Sequence, residues 1–263
     1  EVDGLGTQLN RIRKVRSLSG SVTGTRIDGV VNAASFTFAV SPGGWASIFG
    51  ANLTANQGRA WRGDEIVNGV LPTSLDGVSV QLNGKLAALS FVSPNQINFQ
   101  VPDVETGRPA SIQVSTTQGT ASALVDVRPL APALFTTAEK NGRFLAAAVH
   151  LDGTLVGDPG VLPGSRPARN GETIMVFGTG FGPSSPPSPS GLVVTAAPLA
   201  STVTCSIHVI SCTVTYAGLV GPGLNQFNVR IPTLLSGDYS FALSVGNAST
   251  QANVIIPLQW TLF

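Results

Sequence analysis

The residues able to do chemistry in this chain are few, and their scarcity narrows the chemistry open to it. The 263 residues include two histidines, two cysteines and 14 Asp and Glu. A Ser-His-Asp hydrolase would need His150 or His208 as its base, and no G-x-S-x-G elbow accompanies either one. His150 stands just before an Asp152-Gly153 turn and His208 at a predicted hairpin tip, so both are expected at exposed or edge positions. A glycosidase needs only two carboxylates, but Asp76, Asp103, Asp152, Asp158 and Asp238 fall in turns, where turn geometry already favours aspartate. Asp152 and Asp158 bring two side chains towards a calcium site that needs six or more oxygens. The chain carries no H-E-x-x-H, P-loop, dinucleotide or EF-hand motif. No catalytic residue, metal or cofactor is expected.

The cysteines fit structure better than catalysis. Cys205 and Cys212 lack the C-x-x-C spacing of a redox pair, and with His208 they make three ligands, short of a closed zinc site. Ser47-Ile48-Phe49-Gly50 and Met175-Val176-Phe177-Gly178 are followed, at similar intervals, by Asn95-Gln96-Ile97-Asn98 and Asn225-Gln226-Phe227-Asn228. Two landmarks displaced by nearly the same amount indicate two copies of one unit. Aligning the copies puts Cys205 on Val80 and Cys212 on Ala87, either side of Asn83-Gly84, the sequence of a two-residue hairpin turn. Residues so placed face each other at Cα separations suited to a disulfide. A Cys205–Cys212 staple in an oxidising compartment is therefore expected.

Three features bear on binding. Trp61, between Arg59 and Arg62 on a predicted long loop, is the best candidate for an exposed aromatic, and the three residues together form a possible ligand site. Trp45 is expected to pack in the core beside Phe49. Arg62-Gly63-Asp64 spells a cell-attachment tripeptide, a match that is common by chance. The repeated motif formed by Asn95, Gln96 and Asn98 and by Asn225, Gln226 and Asn228 offers amides that both donate and accept. Its recurrence in both copies favours a scaffold role over a ligand grip, with Asn95 and Asn225 bonding to the backbone of the incoming strand.

The elements that must position these residues read as strands. A charge of +1 with 11% charged residues gives no basic face for nucleic acid, and no apolar run approaches the roughly 18 residues of a membrane span. With 30 Gly, 18 Pro and one Met, the composition describes short strands and turns. Each copy shows about seven strands, the number an immunoglobulin-like sandwich needs. The expected fold is all-β, two tandem immunoglobulin-like sandwiches. Residues 1–26 read as a basic arm or linker, 27–135 as the first sandwich and 136–263 as the second, opening on a Pro/Gly-rich junction over 136–170. Both copies carry a long excursion at one place, at Ala55–Gly69 and at Pro183–Ser190, where binding is often found. Glu1-Val2-Asp3-Gly4 reads as the start of a trimmed segment.

Gly29-Val30-Val31-Asn32-Ala33-Ala34-Ser35-Phe36, Leu71-Pro72-Thr73-Ser74-Leu75-Asp76-Gly77-Val78, Val92-Ser93-Pro94-Asn95-Gln96-Ile97-Asn98, Pro167-Ala168-Arg169-Asn170-Gly171-Glu172-Thr173-Ile174 and Val176-Phe177-Gly178-Thr179-Gly180-Phe181-Gly182 resemble the C-terminal region of large secreted acidobacterial proteins. Each half is also similar to an IPT/TIG domain. Leu9-Asn10-Arg11-Ile12-Arg13-Lys14-Val15 is similar to a strand of an NHL-type propeller blade, which implies a preceding propeller. The resemblance implies an immunoglobulin-like fold and a secreted location, and it carries no catalytic residues, the family having no established activity. The expected function is a non-catalytic secreted or cell-surface spacer or adhesion module with protein or polysaccharide partners. The alternatives are a carbohydrate-binding module and a filament subunit that self-associates by strand-edge pairing, the apolar run Val254–Trp260 pairing with a neighbour's open sheet edge.

Overall fold

The structure, a computed structural model, describes residues 24–260. The predicted propeller-like strand at Leu9–Val15 and nearly all of the arm lie outside the described residues. The described chain is all-β apart from one short 3₁₀ turn at Gly63–Glu65, and it builds two immunoglobulin-like sandwiches, each around its own core.

In the first sandwich, one sheet runs in the order Arg26–Asn32, Trp45–Ala51, Gln96–Gln100, Ala88–Val92, Arg59–Ala60. The facing sheet runs Ala39–Val40, Gly119–Val127, Pro109–Thr116, Val78–Leu82, Ser74–Leu75. The period-2 pattern decides which side each residue takes. Val78, Val80 and Leu82 are buried while Ser79 and Gln81 between them are half-exposed. They meet Ile48, Leu89, Ile97 and Phe99, each fully buried. Burial of this kind is worth about 1.5–3 kcal/mol per large side chain.

The second sandwich repeats the central pairing in register. Phe49 lies opposite Gln96 and Ile48 opposite Ile97, and likewise Phe177 lies opposite Gln226 and Val176 opposite Phe227. The halves differ at the hairpin expected between Val80 and Ala87. In the first, Lys85–Leu86 closes a short hairpin on Val78–Leu82 before the chain crosses to the other sheet at Ala88–Val92. Asn83 and Gly84 both have positive φ, as a type I′ turn requires. In the second, the single long strand Ile210–Gly221 serves both sheets, pairing with Val203–Ile207 and then with Leu224–Arg230.

Several expectations are revised by these pairings. Thr136–Lys140, Arg143–Ala146 and Ala148–His150, expected within a junction, are strands of the second sandwich. Ala133–Leu134 pairs with Gly178 and Thr179, so these residues also sit with the second half. The run Val254–Gln259, expected to be free to pair with a neighbour's sheet edge, lies inside its own sheet between Gly237–Val245 on one side and Arg143–Ala146 and Ala168–Arg169 on the other. On one side its backbone groups are taken by parallel partners far away in sequence, which no local pattern reveals.

His150, expected at an exposed or edge position, is fully buried. Its Nδ1 is 2.6 Å from Glu172 Oε1 and its Nε2 3.1 Å from the carbonyl of Arg166. Arg166 in turn donates to both oxygens of Glu172. Burial works against the charge on Glu172. The hydrogen bonds from Arg166 and the Arg169 N–H, with His150 beside them, outweigh it and hold the carboxyl below the usual range. His208 is exposed at its hairpin tip, with φ of 55°.

Candidate functional site

The structure disperses the predicted site residues. The guanidinium of Arg59 donates from Nη1 and Nη2 to the two oxygens of Glu65 at 3.0 and 2.9 Å, and from Nε to Asp76 at 2.8 Å. Hydrogen bonds from Arg59 and from the Arg62 N–H pull the Glu65 carboxyl down to about 2. Arg59 is thus occupied by two carboxylates of its own sandwich. Trp61 is half-buried against the first core, its ring 5.8 Å from that of Trp45 in an edge-on arrangement at 73°. Arg62 is the most exposed of the three, beside Asp64 at 3.4 Å.

The Cys205–Cys212 disulfide is present, with a Cα–Cα separation of 5.1 Å, and the two residues are opposite each other in the hairpin. The repeated amide motif has a common part and a divergent part. Gln96 Nε2 donates to Asn98 Oδ1 at 2.8 Å, and Gln226 Nε2 to Asn228 Oδ1 at 2.9 Å, so the same amide ladder runs along both strands. The leading asparagines part company. Asn95 is exposed and its Oδ1 accepts from Ser93 Oγ. Asn225 is 3% exposed, and its Nδ2 has no hydrogen-bond partner among the described residues.

The environment of Asn225 is the seam between the sandwiches. Trp45, expected in the core beside Phe49, instead shares the outer face of its strand and reaches across: its Nε1 donates to the carbonyl of Pro222 at 2.6 Å. Its backbone N–H donates to Thr179 Oγ1, whose own hydroxyl donates to the carbonyl of Gly223 at 2.7 Å. Asn32 Nδ2 donates to the carbonyl of Ala131 on the connecting segment. Gln100 joins Gly43 within its own domain to Gly191 of the other through its amide nitrogen and oxygen, at 2.9 and 2.8 Å.

The two long excursions expected at one end of each sandwich meet one another here. Val193 N–H donates to the carbonyl of Gly69 and Leu71 N–H to that of Gly191, with Val70 and Leu192 forming an antiparallel bridge between them. Ser190 N–H donates to Asp103 Oδ2, and Asp103 N–H to Ser190 Oγ, each at 3.1 Å. A cavity of about 260 Å³ remains in this seam. Its walls come from both domains and include Pro42, Gln100 and Asp103 from one and Phe181, Ser184, Ser188 and Asn225 from the other. Sequence reading missed the seam because Trp45, Gln100 and Asp103 lie about a domain away in sequence from what they touch. Divergence between the two Asn-Gln-x-Asn copies has no signal in residue identity.

Residues 31–128 match the family model of the IPT/TIG domain. The first sandwich is an IPT/TIG-like domain. A search of curated proteins returns no match. Among solved structures, the chain is similar to an SGBP-B from a mixed-linkage glucan utilization locus of Bacteroides ovatus, in complex with a mixed-linkage heptasaccharide (13% identity, TM-score 0.35), covering 85% of this chain and 43% of that one. It is also similar to the gamma-CGTase of alkalophilic Bacillus clarkii (11% identity, TM-score 0.29, 93% and 28% covered) and to the tandem Ig repeats of Dlar (12% identity, TM-score 0.21, 91% and 97% covered). The chain spans less than half the length of the first two, and none of these likenesses carries an argument about a ligand or an activity.

Proposed function

We propose that this chain is a non-catalytic extracellular module whose two immunoglobulin-like domains act as one rigid spacer, holding whatever is attached to either end at a fixed separation. The observation that carries this reading is the seam. Trp45 to Pro222 and to Thr179, Gln100 to Gly191 and the paired loops at Gly69–Leu71 and Gly191–Val193 tie the halves together at separated points. Neighbouring domains joined by a small polar contact move relative to each other by default, so several directional bonds across one junction argue for a fixed angle. The disulfide supports an oxidising, extracellular setting. No helix among the described residues is long and apolar enough to cross a membrane.

Backbone ¹⁵N relaxation tests this directly. Both sandwiches should tumble with one common rotational diffusion tensor. Two separate tensors in the wild-type protein would overturn the spacer reading.

A further inference from the structure

Buried polar groups in folded proteins nearly always find partners, and an unsatisfied donor on a residue that lines a cavity calls for an explanation. Asn225 Nδ2 is such a donor: 3% of the residue is exposed, the atom has no partner among the described residues, and the residue lines the seam cavity. It is the position at which the two copies of the amide motif differ in burial, so the repeated scaffold does not explain it. Its strand is paired on both sides, Asn225 lying opposite Gly178 on one and Leu219 on the other. The side chain is therefore held rigidly on a central strand, where a binding group loses little entropy on engagement.

The rest of the lining defines what would fit. Asp103 adds a carboxylate from the other domain, its Oδ2 accepting from the Ser190 N–H and its Oδ1 left for a ligand, Ser184 and Ser188 add hydroxyls, and Pro42, Pro129, Pro183 and Pro189 supply stiff apolar surface. Among the described residues no Lys or Arg lines the cavity. An anion would face Asp103 uncompensated, and a wholly apolar ligand would leave Asn225 unpaired. Alternating C–H faces and hydroxyls satisfy both kinds of wall: hydroxyl oxygens accept from Asn225, and hydroxyl hydrogens donate to Asp103. We infer that the seam between the two sandwiches is a binding site for a neutral, hydroxyl-rich ring of monosaccharide size, gripped by Asn225 from one domain and Asp103 from the other. This goes beyond the spacer reading and rests on the same seam; one common tumbling tensor with a silent amide would reject the site alone.

The experiment follows the Asn225 side-chain amide by NMR in the full chain while neutral probes are added: glucose, galactose, xylose and their β-linked tetrasaccharides, with glucuronate as the charged comparison. Saturable shifts of this amide with at least one neutral probe, and none with glucuronate, are expected. Response to free monosaccharides assigns a free sugar or chain end, and response to tetrasaccharides alone assigns a segment within a chain. Asp103→Asn should bind about tenfold more weakly, through loss of a charged acceptor, while its melting temperature stays near wild type. Asn225→Leu removes a donor with no protein partner, so it should abolish binding and melt at the same or a higher temperature. Silence of the amide towards every neutral probe would overturn the site. So would a marked drop in the melting temperature of Asn225→Leu, since it would show that the amide serves the fold.

Discussion

The indole Nε1 of Trp45 lies 2.6 Å from the carbonyl oxygen of Pro222, a hydrogen bond that joins the strand Trp45–Ala51 of one sandwich to a turn of the other. The turn is shaped to receive it. Gly223 has φ of +62°, and a Cβ there would come within 2.7 Å of Trp45 Cδ1 and 2.8 Å of the Gly43 carbonyl. Glycine is required at this position for two separate reasons, conformation and close approach.

Replacing Trp45 by Phe keeps an aromatic ring but strands the Pro222 carbonyl, so a loss of about 1–3 kcal/mol is expected. Gly223→Ala should loosen the seam more, because both the backbone and the indole must move. Calorimetry reads the difference: wild type should unfold in one transition, and Gly223→Ala should split it into two. An unsplit, unshifted transition in both variants would show that the seam contributes nothing to coupling.

The disulfide closes a short loop, Cys205 and Cys212 being separated by 7 in sequence. Chain-entropy arguments give about 2–3 kcal/mol for a loop of this size. Non-reducing mass spectrometry should show a two-hydrogen deficit, and reduction should lower the melting temperature without unfolding the first sandwich. Two free thiols in the native protein would contradict the structure.

Acid should destabilise the protein through its paired carboxylates. Hydrogen bonds from Arg59 lower Glu65 from 4.5 to about 2, and those from Lys140 lower Asp158. Glu172 also lies below its ordinary value of 4.5, its ion partners outweighing burial. A carboxyl depressed in the folded state contributes stability that is complete above its unfolded value and is lost as pH falls through the folded one. Stability should therefore be flat above about pH 5 and decline between about 4.5 and 2. Arg59→Leu should return Glu65 towards its ordinary value in an NMR titration and flatten its share of the decline.

His150→Leu tests the buried triad. It leaves Glu172 Oε1 and the Arg166 carbonyl short of a partner, and a cost of about 1–3 kcal/mol is expected by chemical denaturation. A neutral result would mean that water replaces the ring at no cost.

Residues near in sequence made much of this architecture legible. Alternation at Val78–Leu82 marks a strand with one face in the core, Asn83-Gly84 marks its turn, and the register of the repeat places Cys205 opposite Cys212, as the structure does. These features depend on the φ/ψ preferences of a few neighbours and on period-2 burial, which a linear sequence carries directly. Tertiary structure decided the rest. Trp45 and Phe49 share one face of a strand, and alternation cannot say whether that face meets solvent or a second domain. Arg59 looks free in sequence because Asp76 is 17 residues away. His150 looks exposed because Glu172 and Arg166 close over it only once parallel and antiparallel strands have assembled. Asn95 and Asn225 have the same type and the same motif, yet one faces solvent and the other a cavity walled by both domains. Composition and periodicity specify which residues must be covered. What covers them is set by long-range packing, and that is where the seam and its unpaired amide arise.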